Sequence, residues 1–195
     1  MIDLLARLVS FPTISNRPLT ELAALLAQRA EDAGMRVERF ETEAGKCNVI
    51  ASAGPRGTDG LVLSGHMDVV PVEGQDWSTD PFKLTESGGR LYGRGACDMK
   101  GFLAAVTDAL PAIPLARLRR ELVLIWTHDE EVGCLGSAAL AGQLAGDVPV
   151  PLASAGLFAD LGGSLDDLLR SAGARAYSAR DTERPAGSRV FVQGR

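Results

Sequence analysis

The stretch Leu61-Val62-Leu63-Ser64-Gly65-His66-Met67-Asp68-Val69-Val70-Pro71 decides how the rest of the chain is interpreted. Its apolar start, Leu61 to Leu63, shows no polar alternation, which predicts a strand buried on both faces of a sheet. The strand ends at Ser64-Gly65, so His66 lies at its carboxyl end, where open α/β sheets carry their chemistry. In an extended chain His66 and Asp68 project to the same side. This arrangement suits a metal ligand and the carboxylate that orients it.

A second apolar run, residues 121–127, predicts another buried strand, and the acidic triplet Asp129 to Glu131 follows it directly. Strand ends at one sheet edge lie close together, so we expect this triplet to converge with His66. Asp98, at the start of a predicted helix, can join them. One histidine with several carboxylates is a ligand set for zinc, cobalt or manganese, and a dication relieves the repulsion between crowded carboxylates. If the segment is extended, Glu130 and Glu131 face opposite ways, so one can bind metal while the other carries a proton.

Periodicity and turn residues place the remaining elements. Helices are predicted over residues 2–9, 20–33 (with Thr20 as N-cap), 99–110 and 137–144, strands over 35–40, 48–52, 61–65 and 121–127, and a hairpin over 81–92. Strands that alternate with helices predict an α/β fold, a three-layer αβα sandwich with a mixed, largely parallel sheet.

Composition excludes several classes of protein. A net charge of −5 gives no electrostatic footprint for nucleic acid. The sequence shows neither a run of 18 apolar residues nor a charged-then-apolar leader, so no membrane span or signal peptide is expected. Three cysteines without C-x-x-C spacing argue against a disulfide framework and favour a reducing, cytoplasmic location.

Three motifs together resemble the di-zinc aminoacylase and carboxypeptidase family of metallopeptidases. They are Ser64-Gly65-His66-Met67-Asp68-Val69-Val70-Pro71, Gly93-Arg94-Gly95-Ala96-Cys97-Asp98-Met99-Lys100-Gly101 and Asp129-Glu130-Glu131-Val132-Gly133. Each motif alone could occur by chance, but their order and spacing make the resemblance specific. It covers residues 1 to about 153.

The resemblance implies a role for each matching residue. His66 would bind one metal, Asp98 would bridge two metals, and Glu131 would bind the second. Asp68 would hold His66 in position, and Glu130 would be the general base. The implied cofactors are two divalent cations, zinc or alternatively cobalt, and the implied substrate is a small N-acylated amino acid whose amide is hydrolysed.

The resemblance also implies domain boundaries. Residues 1–153 would form part of a catalytic domain, without the lid and dimerisation domain through which intact members form homodimers. Residues 154–195 are expected to be a divergent segment, read out of frame or disordered. In support, no lysine follows Lys100, and residues 151–195 carry six arginines against five acids. The family's further acidic ligand and its distal histidine are not expected in this chain.

Each candidate site residue also has a purely structural interpretation. His66 could be a buried structural histidine, Asp98 only a helix cap, and the glutamate pair a solvated strand end. His128 is interpreted as structural, and two cysteines, Cys97 and Cys134, as small packing residues. Arg94 and Lys100 could position the site loop or only add surface charge. A different class of function is a non-catalytic fragment that associates through an exposed sheet edge.

Overall fold

The computed structural model describes residues 1–43, 45–56, 60–144 and 190–192. Within these residues the helices are α1 (Ile2–Val9), α2 (Thr20–Asp32), α3 (Lys100–Ala109) and α4 (Leu135–Leu144). The strands are β1 (Arg36–Glu43), β2 (Lys46–Ala53), β3 (Leu61–His66), β4 (Thr85–Ser87), β5 (Arg90–Tyr92), β6 (Leu122–Thr127) and β7 (Val190–Val192). Two short 3-10 turns, Leu110–Ala112 and Leu115–Arg117, follow α3. Among the described helices, none combines the length and apolarity that crossing a lipid bilayer requires.

The main sheet has the strand order β1-β2-β6-β3. β3 pairs with β6 in parallel, whereas β1 with β2 and β2 with β6 are antiparallel. The mixed α/β class is therefore confirmed, but the described sheet is less parallel than the sequence led us to expect. The short connection between Glu43 and Lys46 accounts for part of the difference, because so few residues can join only antiparallel neighbours.

The sheet lies between two helical layers. Val49, Ala51 and Leu124 are buried together with residues of α1, α2 and α3, so these three helices cover one face. On β2, Asn48 points to the opposite face, and its Nδ2 donates a hydrogen bond of 2.9 Å to the carbonyl oxygen of Gly136 in α4. The predicted three-layer arrangement is confirmed in the described residues.

The parallel pair of strands places the candidate site. β3 and β6 run in register from Leu61 opposite Leu122 to His66 opposite Thr127, so their carboxyl ends meet at one edge. α3 packs so closely on this edge that a Cβ added to Gly65 would lie only 2.9 Å from Cδ2 of Leu103. The backbone N–H of His66 also meets Sδ of Met99 at 3.3 Å. This packing brings the loop before α3 to the tip of β3.

Three helix starts differ slightly from the sequence prediction. Thr20 is the first residue of α2 rather than its N-cap, which is Leu19 and makes no side-chain cap bond. α3 begins at Lys100, one residue after the predicted start, and α4 at Leu135, two residues before it. These differences are within the usual uncertainty of helix boundaries.

A small second sheet contains β4, β5 and β7. β4 and β5 form the core of the predicted hairpin, with Thr85 opposite Tyr92, and β7 pairs with β5 in parallel. The predicted domain boundary at 153/154 lies outside the described residues, as does the divergent segment 154–195 apart from β7.

Candidate metal centre

His66 is the buried nitrogen ligand of the candidate site, with a residue exposure of 5%. Its Nδ1 lies 3.0 Å from the backbone carbonyl oxygen of Asp68, which can only accept a hydrogen bond, so Nδ1 carries a proton. Its Nε2 faces Oδ1 of Asp98 at 3.0 Å. Burial alone would lower the pKa of His66, but hydrogen bonds and negative charge from Asp68 and Asp98 raise it to about 9. A proton therefore occupies the position at Nε2 from which a neutral imidazole would bind a metal.

Glutamate side chains complete the cluster around His66. Ligand atoms of His66, Glu130 and Glu131 all lie within 4.8 Å of one another, and Asp98 contacts the same histidine. Burial, followed by the negative charge of Asp98, raises the pKa of Glu131. The imidazole of His66 and the carboxylates of Glu130 and Glu131, with Asp98 beside the histidine, are donors that a hard-to-borderline divalent cation prefers, and such a cation would relieve the repulsion between the carboxylates.

The glutamate segment differs from the extended chain expected from the sequence. Asp129 has a φ of 50°, and the residues after it form a turn. As a result, Glu130 and Glu131 both reach the cluster, instead of facing opposite ways. Glu130 Oε2 lies 3.8 Å from His66 Nε2. Asp98 does not cap α3 with its side chain, because the N-cap of α3 is Met99 and it makes no side-chain cap bond.

Asp68 ties three segments of the site together. It is 1% exposed, and its oxygens accept hydrogen bonds from the backbone N–H groups of Glu130 (3.0 Å) and Glu131 (3.3 Å) and from Oγ of Ser15 (2.6 Å). Its carboxylate lies 3.5 Å from Nδ1 of His66, farther than its own carbonyl oxygen. Asp68 thus contacts the histidine as the sequence predicts, and it also holds the two glutamates.

Asp129, the first member of the acidic triplet, does not join the cluster. It is fully buried and turns away from His66, with Oδ2 at 2.5 Å from Nζ of Lys46 and 3.1 Å from Nδ1 of His128. Its Oδ1 accepts a bond of 2.7 Å from the N–H of Asn16. Burial opposes its charge, but these hydrogen bonds prevail and lower its pKa. Asp129 therefore fixes the start of the turn that carries Glu130 and Glu131.

His128 lies inside this buried network. Its Nε2 is 2.8 Å from Oγ1 of Thr42, and its Nδ1 contacts Asp129, so both ring nitrogens are engaged away from His66. These contacts agree with its interpretation as a structural histidine.

Arg94 and Lys100 are buried rather than solvated. Arg94 is 2% exposed, stacks 5.2 Å from the ring centre of Trp77, and donates to the carbonyl oxygen of Pro71 at 3.3 Å. Lys100 is fully buried, and its Nζ donates a bond of 2.6 Å to the carbonyl oxygen of Phe11. Burial lowers the pKa of Lys100 to about 7. Arg94 and Lys100 flank the loop that carries Asp98, and their side chains tie it to Pro71 and Phe11.

The cysteines correct another expectation. Cys97 and Cys134 are exposed rather than packed inside, and only Cys47 is buried. Cys134 lies at the rim of the cluster, with Sγ 3.7 Å from Oε1 of Glu130.

Sequence reasoning missed the segment between α1 and α2. Oγ1 of Thr13 donates to the carbonyl oxygen of Met67 at 2.7 Å, and Ser15 and Asn16 reach Asp68 and Asp129 as described above. The sequence signal is the stretch Thr13-Ile14-Ser15-Asn16 after Pro12, which is equally typical of an ordinary loop.

Comparisons with known proteins agree with this arrangement. Residues 62–172, more than half of the chain, match the sequence model of peptidase family M20/M25/M40, and the chain belongs to this family. The structure is similar to human carnosine dipeptidase 1 (29% identity, TM-score 0.61), covering 73% of this chain and 34% of that one. It is also similar to an M20-family metallo-carboxypeptidase from Sulfolobus solfataricus (26% identity, TM-score 0.64), with 73% and 33% covered.

A third similarity concerns the fold alone. A dinuclear metal-binding peptidase of the M20 family from Bacillus subtilis shares 21% identity at a TM-score of 0.54, with 74% of this chain and 38% of that one covered. The chain spans about a third of the length of the first relatives, 34% and 33%.

Proposed function

We propose that this chain carries part of the metal-binding site of a metal-dependent amidohydrolase. The reaction would be cleavage of the amide bond of a small N-acylated amino acid. His66, Asp98 and Glu131 would hold divalent cations, most simply two zinc ions with Asp98 between them, and Glu130 would be the general base. The observation that carries the proposal is the convergence of His66, Glu130 and Glu131 within 4.8 Å, with Asp98 in contact with the histidine.

The arrangement supports a division of labour between the two glutamates. Bound cations would polarise the amide carbonyl and make a neighbouring water more acidic. Glu130 is 42% exposed and less enclosed than His66, so its carboxylate can accept the proton of the attacking water and pass it to the leaving amine. The pKa of Glu131 is raised first by burial and then by negative neighbours, whose charge a cation would neutralise.

Details of the motifs favour one substrate. The stretch from Pro71 to Gln75 with Trp77 and Asp80-Pro81-Phe82, the block Ala96 to Phe102, and the segment Glu131 to Gly136 resemble those of acetylornithine deacetylase. We therefore propose hydrolysis of N2-acetyl-L-ornithine to L-ornithine and acetate, a step of arginine biosynthesis, in the cytoplasm. Succinyl-diaminopimelate desuccinylase is a related alternative. Dipeptide hydrolysis is favoured independently by the likeness to a dipeptidase at 29% identity.

A matched pair of variants tests the proposal. Purified chain is titrated with Zn²⁺ and Co²⁺, and hydrolysis of acetylornithine, succinyl-diaminopimelate and a dipeptide is measured in parallel. Glu131→Gln is expected to weaken metal binding, whereas Glu130→Gln is expected to keep it and lose turnover. Equal effects of the two variants on metal affinity would contradict the assigned roles.

The same measurements decide between an enzyme and a non-catalytic fragment. If the wild-type chain binds metal less than stoichiometrically and hydrolyses none of the three substrates, the chain is a fragment. Turnover with two bound ions would reject the fragment hypothesis.

A further inference from the structure

The hydroxyl group of Ser15 makes a short, buried contact with the carboxylate that organises the candidate metal centre. Its Oγ lies 2.6 Å from Oδ2 of Asp68 and 3.3 Å from the carbonyl oxygen of Val69. A hydroxyl group has one proton to donate, and the shorter bond to a charged acceptor takes it. Ser15 is 7% exposed and Asp68 1%, so water cannot easily replace this bond.

The segment that carries Ser15 is fixed against the strand tip. Ile14 forms a parallel bridge with Val69, the N–H of Val69 donates to the carbonyl oxygen of Thr13 at 2.9 Å, and the N–H of Ser15 donates back to Val69 at 3.0 Å. The backbone around Ser15 therefore continues the sheet edge at the site. These backbone hydrogen bonds fix the position from which the Ser15 hydroxyl group contacts Asp68.

Asp68 passes this constraint to the proposed metal-binding residues. One of its oxygens accepts the N–H of Glu130, and the oxygen that Ser15 contacts also accepts the N–H of Glu131 at 3.3 Å. The backbone carbonyl oxygen of Asp68 fixes Nδ1 of His66. A carboxylate that rotates would therefore release both glutamate amides and would also carry its negative charge away from Nδ1 of His66, which now lies 3.5 Å from Oδ1.

We propose that Ser15 is a positioning residue of the metal centre, which acts by holding the Asp68 carboxylate in the orientation that supports Glu130, Glu131 and His66. The inference rests on the proposed function, because it assigns Ser15 to the same site. Ser15 itself does not touch the metal or the substrate. Removal of such outer partners typically lowers metal affinity 10- to 100-fold.

The first test uses the metal-free protein. Amide hydrogen exchange of Glu130 and Glu131 is followed by nuclear magnetic resonance in wild type, Ser15→Ala and Ser15→Thr. Ser15→Ala is expected to accelerate exchange of these two amides at least about tenfold, and Ser15→Thr, which keeps the hydroxyl group, to restore it. Unchanged exchange in Ser15→Ala would overturn the inference, whether or not the chain binds metal.

The second test measures Co²⁺ affinity and the visible spectrum of the bound ion. Ser15→Ala is expected to bind Co²⁺ about 10-fold more weakly, with a changed spectrum, and Ser15→Thr within about threefold of wild type. The matched control is Thr13→Val, which removes a buried hydroxyl bond of similar length to the backbone of Met67 but none to Asp68. It is expected to stay within about threefold of wild type while costing similar stability to urea.

The outcomes separate the two proposals. Faster amide exchange in Ser15→Ala together with unchanged Co²⁺ affinity would overturn the link between Ser15 and the metal centre. If Thr13→Val lowered the Co²⁺ affinity as much as Ser15→Ala, a general loss of stability would explain both results. This outcome would also overturn the inference. Wild-type protein that binds no Co²⁺ contradicts the proposed function, while the exchange data still decide whether Ser15 holds the glutamate turn.

Discussion

The charges of His66 and Asp68 depend on each other because both side chains are buried. Burial opposes the charge of Asp68, but hydrogen bonds from His66, Ser15 and the N–H of Glu130 lower its pKa to about 2. In turn, Asp68 and Asp98 outweigh the effect of burial and keep His66 protonated in the metal-free protein. His66 and Asp68 thus form a buried ion pair. A metal cation can bind His66 by replacing the proton on Nε2.

Titration of His66 tests this ion pair. In the metal-free chain its pKa is expected at about 9, against 6.5 for a free imidazole, and Asp68→Asn is expected to lower it. Because the folded-state pKa is raised, His66 stabilises the fold fully below pH 6.5, and this contribution is lost as the pH rises through about 9. The imidazole resonances of the ring nitrogens, recorded across this range, give the value directly.

The same proton links metal binding to pH. A cation at Nε2 must displace it, so the apparent Co²⁺ affinity is expected to rise by up to about tenfold per pH unit towards pH 9. A His66 pKa near 6.5, or a Co²⁺ affinity independent of pH, would contradict the ion pair.

Lys46 neutralises a carboxylate that has no access to water. Lys46 is 8% exposed and Asp129 fully buried, so Lys46→Met would leave a buried negative charge without its cation. Loss of one partner of a buried pair typically costs about 3 to 5 kcal/mol. The expected result is a fall of this size in the free energy of unfolding, measured in urea. The control Lys83→Met, at an exposed lysine, should change it by less than about 0.5 kcal/mol.

At the scale of elements, β3, β6 and α3 could be predicted because their sequences carry strong, local signals. Continuous apolar runs predicted both strands; β6 is buried except at Ile125, which is partly buried, and β3 is buried except at Leu61 and Ser64. The carboxyl ends of strands in an α/β sheet carry its chemistry, which is why His66, Asp98 and the glutamates were expected together, and the observed parallel pairing of β3 with β6 puts both ends at one edge.

Other features depend on contacts between residues far apart in sequence, and no local pattern encodes them. Ser15 and Asp68 are separated by 53 positions, and Lys46 and Asp129 by 83. The turn at Asp129 forms because its carboxylate has buried partners, so an acidic triplet read alone predicts an extended segment. The sequence left open whether Arg94 and Lys100 position the site loop or add surface charge for the same reason, since a cation in sequence is usually solvated.

The docking of α4 on the sheet depends on a glycine. A Cβ at Gly136 would lie 2.3 Å from the carbonyl oxygen of His128 and 2.8 Å from Oδ1 of Asn48, and the backbone there cannot yield cheaply. Gly136→Ala is therefore expected to destabilise the fold by at least about 1 to 3 kcal/mol in urea unfolding. In the same helix, Gly142 has nothing within 4 Å, so Gly142→Ala should stabilise by about 0.5 to 1 kcal/mol. Equal effects of both substitutions would show that α4 does not pack as described.

For the molecule as a whole, the number of histidines limits how many imidazole ligands this chain can offer to a metal ion. The 195 residues include two histidines, and the structure directs only His66 towards the acidic cluster. The other, His128, is held by Thr42 and Asp129 on the side of the β1–β2 hairpin. One imidazole with carboxylates binds a divalent cation less tightly than the closed four-ligand sites of structural zinc.

A pair of histidine variants tests this limit in the 195-residue chain. His66→Asn is expected to weaken Co²⁺ binding by more than about 100-fold, beyond the effect of losing an outer partner, because it removes the ligand itself. His128→Asn is expected to stay within about threefold, although it lowers stability by disturbing a buried network. Isothermal titration of both variants, after circular dichroism has shown that each is folded, measures the difference. If His128→Asn lost as much affinity as His66→Asn, the metal would lie elsewhere, and the convergence at the tips of β3 and β6 would not be the metal centre.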